Sequence, residues 1–99
     1  MKVIIENSNP VIAKLQGRLD TAAAVEITPD FENLSQYADK QIIIDCEQLA
    51  YISSSGLRLL LSLRKDVAAK GGKLQIRSLS KDIMQVFQMT GFVSLFDIA

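Results

Sequence analysis

Gln41-Ile42-Ile43-Ile44-Asp45-Cys46-Glu47-Gln48-Leu49-Ala50-Tyr51-Ile52-Ser53-Ser54-Ser55-Gly56-Leu57-Arg58 decides the fold, because it carries a strand, a connection and the start of a helix in succession. The run from Gln41 to Cys46 is apolar on both faces, as a central strand covered by helices on at least one side should be. Glu47-Gln48-Leu49-Ala50 reads as a loop before Tyr51-Ile52, and three serines and Gly56 follow. From Leu57 to Lys70 the pattern is helical: at 100° per residue Leu57, Leu59, Leu60, Leu61, Leu63, Val67 and Ala68 fill a wide apolar arc. Arg58, Ser62, Lys65 and Asp66 share the opposite side. Arg64 falls inside the apolar arc, where its stem can line the core edge with its head in water. Gly71-Gly72 stops the helix.

Upstream, Val3-Ile4-Ile5 and Val11-Ile12-Ala13-Lys14-Leu15-Gln16 suit two strands joined at Asn7-Ser8-Asn9-Pro10, a hairpin that Gly17 ends. Asp20 or Thr21 can cap a helix beginning at Ala22. Helical structure is expected from about Ala22 to Tyr37, bent or restarted at Thr28-Pro29, with Phe31, Leu34 and Tyr37 turned inward. Downstream, Lys73-Leu74-Gln75-Ile76-Arg77 alternates as a strand does. Ser78 or Ser80 can cap a last helix reaching Met89, with Ile83, Val86 and Phe87 inside and Met84 and Met89 as core fillers. The tail from Phe92 to Ile98 is apolar and suits a short edge strand. The expected fold is a single α/β (α+β) domain over residues 1–99. It should hold a mixed sheet of four to five strands, with an opening hairpin, then right-handed βαβ units and helices mainly on one face.

Composition narrows the chemistry. The 99 residues are 48% hydrophobic and 22% charged, enough to build a core. Eleven Lys and Arg balance eleven Asp and Glu, which argues against a general nucleic-acid binder. There is no histidine, so a Ser-His-Asp triad, a His-ligated metal and a histidine base are excluded. The one cysteine, Cys46, forms no internal disulfide or thiolate cluster and is expected in the core. No Walker-type phosphate loop is present, because Gly71-Gly72 lacks the Lys-Ser/Thr that must follow. No enzyme activity, catalytic residue, metal or cofactor is therefore expected. Met1-Lys2-Val3-Ile4-Ile5-Glu6 meets a charge too early for a signal peptide, and no apolar run approaches the ~20 residues that span a bilayer. A cytoplasmic protein without membrane insertion is the expectation.

The triple serine holds the remaining chemical content. One serine suffices to accept the free N–H groups of a helix's first turn, so capping alone accounts for one of the three. A hydroxyl at a helix N-terminus is also placed where a phosphate is favoured, by unpaired N–H groups and by the helix dipole.

At these residues the sequence resembles the STAS domain family, the fold shared by anti-sigma factor antagonists and the cytoplasmic domains of sulphate transporters. Gly17-Arg18-Leu19-Asp20 carries the resemblance first. The buried strand leading into Leu49-Ala50-Tyr51-Ile52-Ser53-Ser54-Ser55-Gly56-Leu57-Arg58 carries it next, then Lys73-Leu74-Gln75-Ile76 with a helix ending near Thr90-Gly91-Phe92. Together these cover nearly the whole chain, and it resembles the free-standing antagonists more than transporter tails. The resemblance implies a protein that binds an anti-sigma factor serine kinase and is released when a serine at this helix N-terminus is phosphorylated. A serine phosphatase restores binding, and sigma-factor-dependent transcription is regulated. Laid on the family segment Asp-Ser-Ser/Thr/Ala-Gly-Leu, the phosphoacceptor falls on Ser54, and Ser53 stands where the family has aspartate. Ser53 and Ser55 remain chemically equivalent neighbours. The resemblance also implies partner contacts at Asp20, Ser53, Ser55, Gly56, Leu57 and Arg58; Leu57 and Arg58 with Leu19 and Asp20 would frame the patch around Ser54, although core packing is the favoured reading of Leu57. The alternative is an unphosphorylated STAS accessory subunit of a transporter ATPase complex.

Overall fold

The apolar run that begins at Gln41 becomes the central strand of the molecule. The computed structural model describes residues 1–99. The strands are β1 (Lys2–Glu6), β2 (Val11–Leu19), β3 (Gln41–Ile52), β4 (Lys73–Arg77) and β5 (Asp97–Ile98), hydrogen-bonded in the order β1-β2-β3-β4-β5. Only the β1–β2 hairpin is antiparallel; β2, β3, β4 and β5 run parallel. Four helices connect them: α1 (Thr21–Glu26), α2 (Thr28–Leu34), α3 (Ser54–Lys70) and α4 (Lys81–Met89). The result is a five-stranded mixed sheet of α+β class.

Strand alternation sorts the two faces. Val11, Ala13 and Leu15 of β2, Ile42, Ile44 and Cys46 of β3, and Ile76 of β4 point to one side. There they join Phe31, Leu34, Leu60, Leu63, Ile83 and Phe87 from the helices in one continuous core. The other face carries a polar ladder, in which Lys14 pairs with Glu6 at 2.9 Å and Arg77 with Asp45 at 3.3 Å. Helices therefore cover one face, as the pattern of the strands requires.

Local chemistry sets the helix boundaries. α1 is capped by Asp20, whose Oδ1 accepts the Ala23 N–H at 2.8 Å. Helical structure breaks at Ile27 and restarts with Pro29 in the first turn of α2, because proline has no N–H to give and its ring collides with the carbonyl four residues back. A short 3₁₀ turn over Ser35–Tyr37 follows. Ser80, not Ser78, caps α4 through the Ile83 N–H at 3.2 Å.

Three expectations are corrected. The segment Glu47–Ala50 is not a loop, because β3 continues through it to Ile52. Gly17 does not end β2, which reaches Leu19. These two departures are one feature. Between Lys14 and Gln16 the partner strand advances from Asp45 to Gln48, and between Gly17 and Arg18 it advances from Leu49 to Tyr51. Each step adds one residue on β3, a bulge, and Gly17 follows the bend at φ +109°, a conformation that favours glycine. Met89 is not a core filler, being 79% exposed past the last inward turn of α4. The head of Arg64 is exposed but not free, since its Nε donates to the carbonyl of Leu95 and ties the C-terminal segment to α3.

Cys46 lies fully inside the core, and burial pushes its thiol up from 9.0 to about 12, with the Asp45 carboxylate adding to the shift. The folded protein keeps this proton where the unfolded chain loses it. Stability should therefore fall as pH rises from about 9 toward 12, by up to about 1.4 kcal/mol per pH unit. At pH 8 a colorimetric thiol reagent should label Cys46 only after urea unfolds the protein; rapid labelling of the native state would contradict this placement.

Candidate functional site

β2 and β3 remain paired to their last residues, Leu19 against Ile52. Being parallel, they deliver the chain to the same edge of the sheet, where α1 and α3 start. The Ser53 N–H donates to the Leu19 carbonyl at 2.8 Å and binds the two strand ends together. This edge, beyond the carboxyl ends of parallel strands, is where open α/β sheets place their sites.

The three serines have different roles in this setting. Ser53 is the cap of α3: its backbone is extended (φ −93°, ψ 172°) and its Oγ accepts the Gly56 N–H at 3.2 Å. Ser55 is half-buried in a shallow groove between α1 and α3, lined also by Thr21, Ala24, Val25, Thr28, Arg58 and Leu59. Ser54, the first helical residue, is exposed, and its hydroxyl has no hydrogen-bond partner within the chain. The first turn of α3 contains no acidic residue, so nothing there offsets the positive end of the helix.

Beneath the serines the helix is pressed onto the sheet. A Cβ at Gly56 would lie 2.6 Å from Leu19 Cγ and 2.9 Å from Ile52 Cγ1, so only glycine allows this approach. Leu57 is 3% exposed and Leu19 fully buried. The core reading of Leu57 therefore holds, and Leu19 is corrected from a residue framing the surface patch to a core residue: both lie beneath the first turn and complete the core. Of the residues expected at the partner surface, Asp20 and Arg58 are exposed, Ser53 and Ser55 half-buried, and Gly56 and Leu57 buried.

Two exposed features beside the serines were not anticipated. Val25 of α1, 74% exposed, borders the groove that Ser55 and Arg58 line. Arg18 lies over the ring of Tyr51, 4.5 Å from its centroid, on the sheet face away from the helices. Alternation would have found the second pair, since Arg18 and Tyr51 each precede a buried residue, Leu19 and Ile52, at a strand end.

Comparison with known proteins fixes the family. The model of the STAS domain matches residues 1–99. The chain belongs to the STAS domain family. A Bordetella bronchiseptica protein described as a candidate anti-sigma factor antagonist, BtrV, is 32% identical over 89 residues, covering 90% of this chain and 77% of that protein. The anti-sigma-B factor antagonist of Bacillus subtilis is 27% identical over 95 residues, covering 95% of this STAS domain and 85% of that protein. Among solved structures, the Bacillus cell fate determinant SpoIIAA in its phosphorylated form superposes with a TM-score of 0.73 at 27% identity, over 99% of this chain and 91% of that one. No helix of the STAS domain described here is long and apolar enough to cross a membrane.

The division of roles among the serines is measurable. Ser53→Ala removes the cap and should cost about 1 kcal/mol in urea unfolding. Ser54→Ala should stay within about 0.5 kcal/mol of wild type. Gly56→Ala should cost about 2 kcal/mol by overpacking against Leu19 and Ile52. An equal loss for Ser53→Ala and Ser54→Ala would contradict the assignment of the cap.

Proposed function

We propose that this protein is an anti-sigma factor antagonist. It binds an anti-sigma factor that is also a serine kinase, and phosphorylation of Ser54 releases it. A serine phosphatase reverses the modification, and the cycle regulates sigma-factor-dependent transcription in the cytoplasm. The chain is a substrate of the kinase, not an enzyme. The names of its relatives support the antagonist role. The choice of Ser54 is supported by one observation above the others: it alone of the three serines is exposed at the start of α3. Asp20, Ser53, Ser55, Gly56, Leu57 and Arg58 form the partner-binding region in this reading. Asp20, Arg58 and the rim of the groove touch the partner, while Gly56 and Leu57 hold the first turn in place.

In the modification, Ser54 Oγ forms a bond to the γ-phosphorus of ATP as the β–γ bridging P–O bond breaks. ADP leaves, and the hydroxyl proton passes to a base on the kinase. Phosphoserine adds about −1.5 to −2 charges at neutral pH. Opposite one partner carboxylate at about 5–8 Å, with an effective dielectric near 20, the repulsion is ~3–7 kcal/mol before salt screening. About 2.7 kcal/mol already lowers affinity a hundredfold. One phosphate therefore suffices to part the complex without unfolding either protein.

The test uses an anti-sigma factor serine kinase from the same genome. Incubation with ATP should add one phosphate, mapped by mass spectrometry to Ser54 and absent from Ser54→Ala. Calorimetry should show Ser54→Asp binding at least tenfold more weakly than wild type. Modification elsewhere would overturn the site. Tight binding to a transporter ATPase, indifferent to Ser54→Asp, would replace the antagonist role with that of an accessory subunit.

A further inference from the structure

Arg58 is exposed and free. The three ion pairs of the chain are Met1–Glu26, Lys14–Glu6 and Arg77–Asp45, and none includes it. The other charged groups at this end of the molecule are engaged. The Asp20 carboxylate accepts the Ala23 N–H, Arg18 lies over the Tyr51 ring, and Glu26 pairs with the terminal ammonium at 3.7 Å. Arg58 stands four residues after Ser54 on the same helix, so their Cβ atoms are about 5–6 Å apart on one face. Helical side chains lean toward the N-terminus, which puts the turn that begins with Ser54 within reach of the guanidinium. An anion four residues before a cation is the more favourable order on a helix. A guanidinium also matches phosphate oxygens with two parallel N–H donors.

We infer that Arg58 changes partner with the state of Ser54: it meets the binding protein while Ser54 carries a hydroxyl, and turns back to pair with the phosphate once Ser54 is modified. This rests on the reading of Ser54 as the acceptor and adds how the modification is felt. Phosphorylation then acts twice. It places a dianion at the interface, and it withdraws from that interface the one unpaired cation on the first two turns of α3. The groove beside Arg58 is lined by Thr21, Ala24, Val25, Thr28, Ser55 and Leu59, none of them charged, so no second cation there replaces the one withdrawn.

The test places phosphoserine at position 54 of the full chain by genetic encoding, which needs no kinase. Its second ionisation, near pH 6 when unperturbed, is followed by ³¹P NMR titration. In Arg58→Gln the midpoint should rise by about half a pH unit, since the cation that favours the dianion is gone. Arg58→Lys should restore part of the shift. An unchanged midpoint in Arg58→Gln overturns the pairing. A second readout is the ratio of kinase affinities for unmodified and phosphorylated protein, which should fall at least threefold in Arg58→Gln; a ratio equal to wild type overturns the exchange of partners. Arg58 is exposed, so thermal unfolding of the variants should match wild type and serves as the folding control. A kinase that leaves Ser54 unmodified would sink the acceptor reading while the titration still reports on the pair, so the two failures are distinguishable.

Discussion

The approach of Gly56 to Leu19 and Ile52 is the contact on which this end of the molecule depends. With no side chain at position 56, the first turn of α3 settles onto the ends of two paired strands. The bond from Ser53 N–H to the Leu19 carbonyl fixes the same junction from the backbone side. Because β2 and β3 are parallel and end opposite one another, α1 and α3 leave from neighbouring points at one edge. Their capped N-termini, at Asp20 and Ser53, are thereby held side by side. A larger residue at 56 would lift the helix and move every group on its first turn. The exposure of Ser54 and of Arg58 both follow from a contact that neither residue makes.

Features that depend on neighbouring residues were legible in the sequence. The caps, narrowed to Asp20 or Thr21 and to Ser78 or Ser80, the restart at Thr28-Pro29, the long apolar arc of α3 and the parallel order after the hairpin all have local causes, and the structure contains each, with Asp20 and Ser80 as the caps used. Features that depend on two distant segments at once were not. Gly17 looks like a stop and Glu47–Ala50 looks like a loop when each is read alone. Paired, they are a strand with two single-residue bulges and a partner that bends with it. Leu57 is a different case. Its place on the apolar arc, in step with Leu60, Leu63 and Val67, already assigned it to the core. The resemblance to the family segment also set it among the partner contacts, and packing keeps it on the inner side. The family segment put the acceptor on Ser54 but left Ser53 and Ser55 as equivalent neighbours; which serine caps the helix and which is exposed turns on the backbone at Ser53. An extended Ser53 sends its own oxygen back to Gly56, and position 54 then has to face water.

That arrangement separates what holds the protein together from what it offers to others. Along the first two turns of α3 the inner residues, Gly56, Leu57 and Leu60, are buried, while Ser54 and Arg58 are exposed. Charge placed on the outer side meets water and the positive end of a helix. A negative group in the first turn is worth about 0.3–1 kcal/mol in favour of the helix at low salt. A dianion at Ser54 therefore has no means of loosening the core beneath it, and its effect on the fold is small and of the stabilising sign. On the proposed reading, a change in affinity on modification arises from what the outer side presents, the field at Ser54 and the pairing of Arg58, with the sheet and the seated helix as the base. A switch built in this way needs no second conformation of the domain, because Gly56 keeps α3 in one position whichever group Ser54 carries.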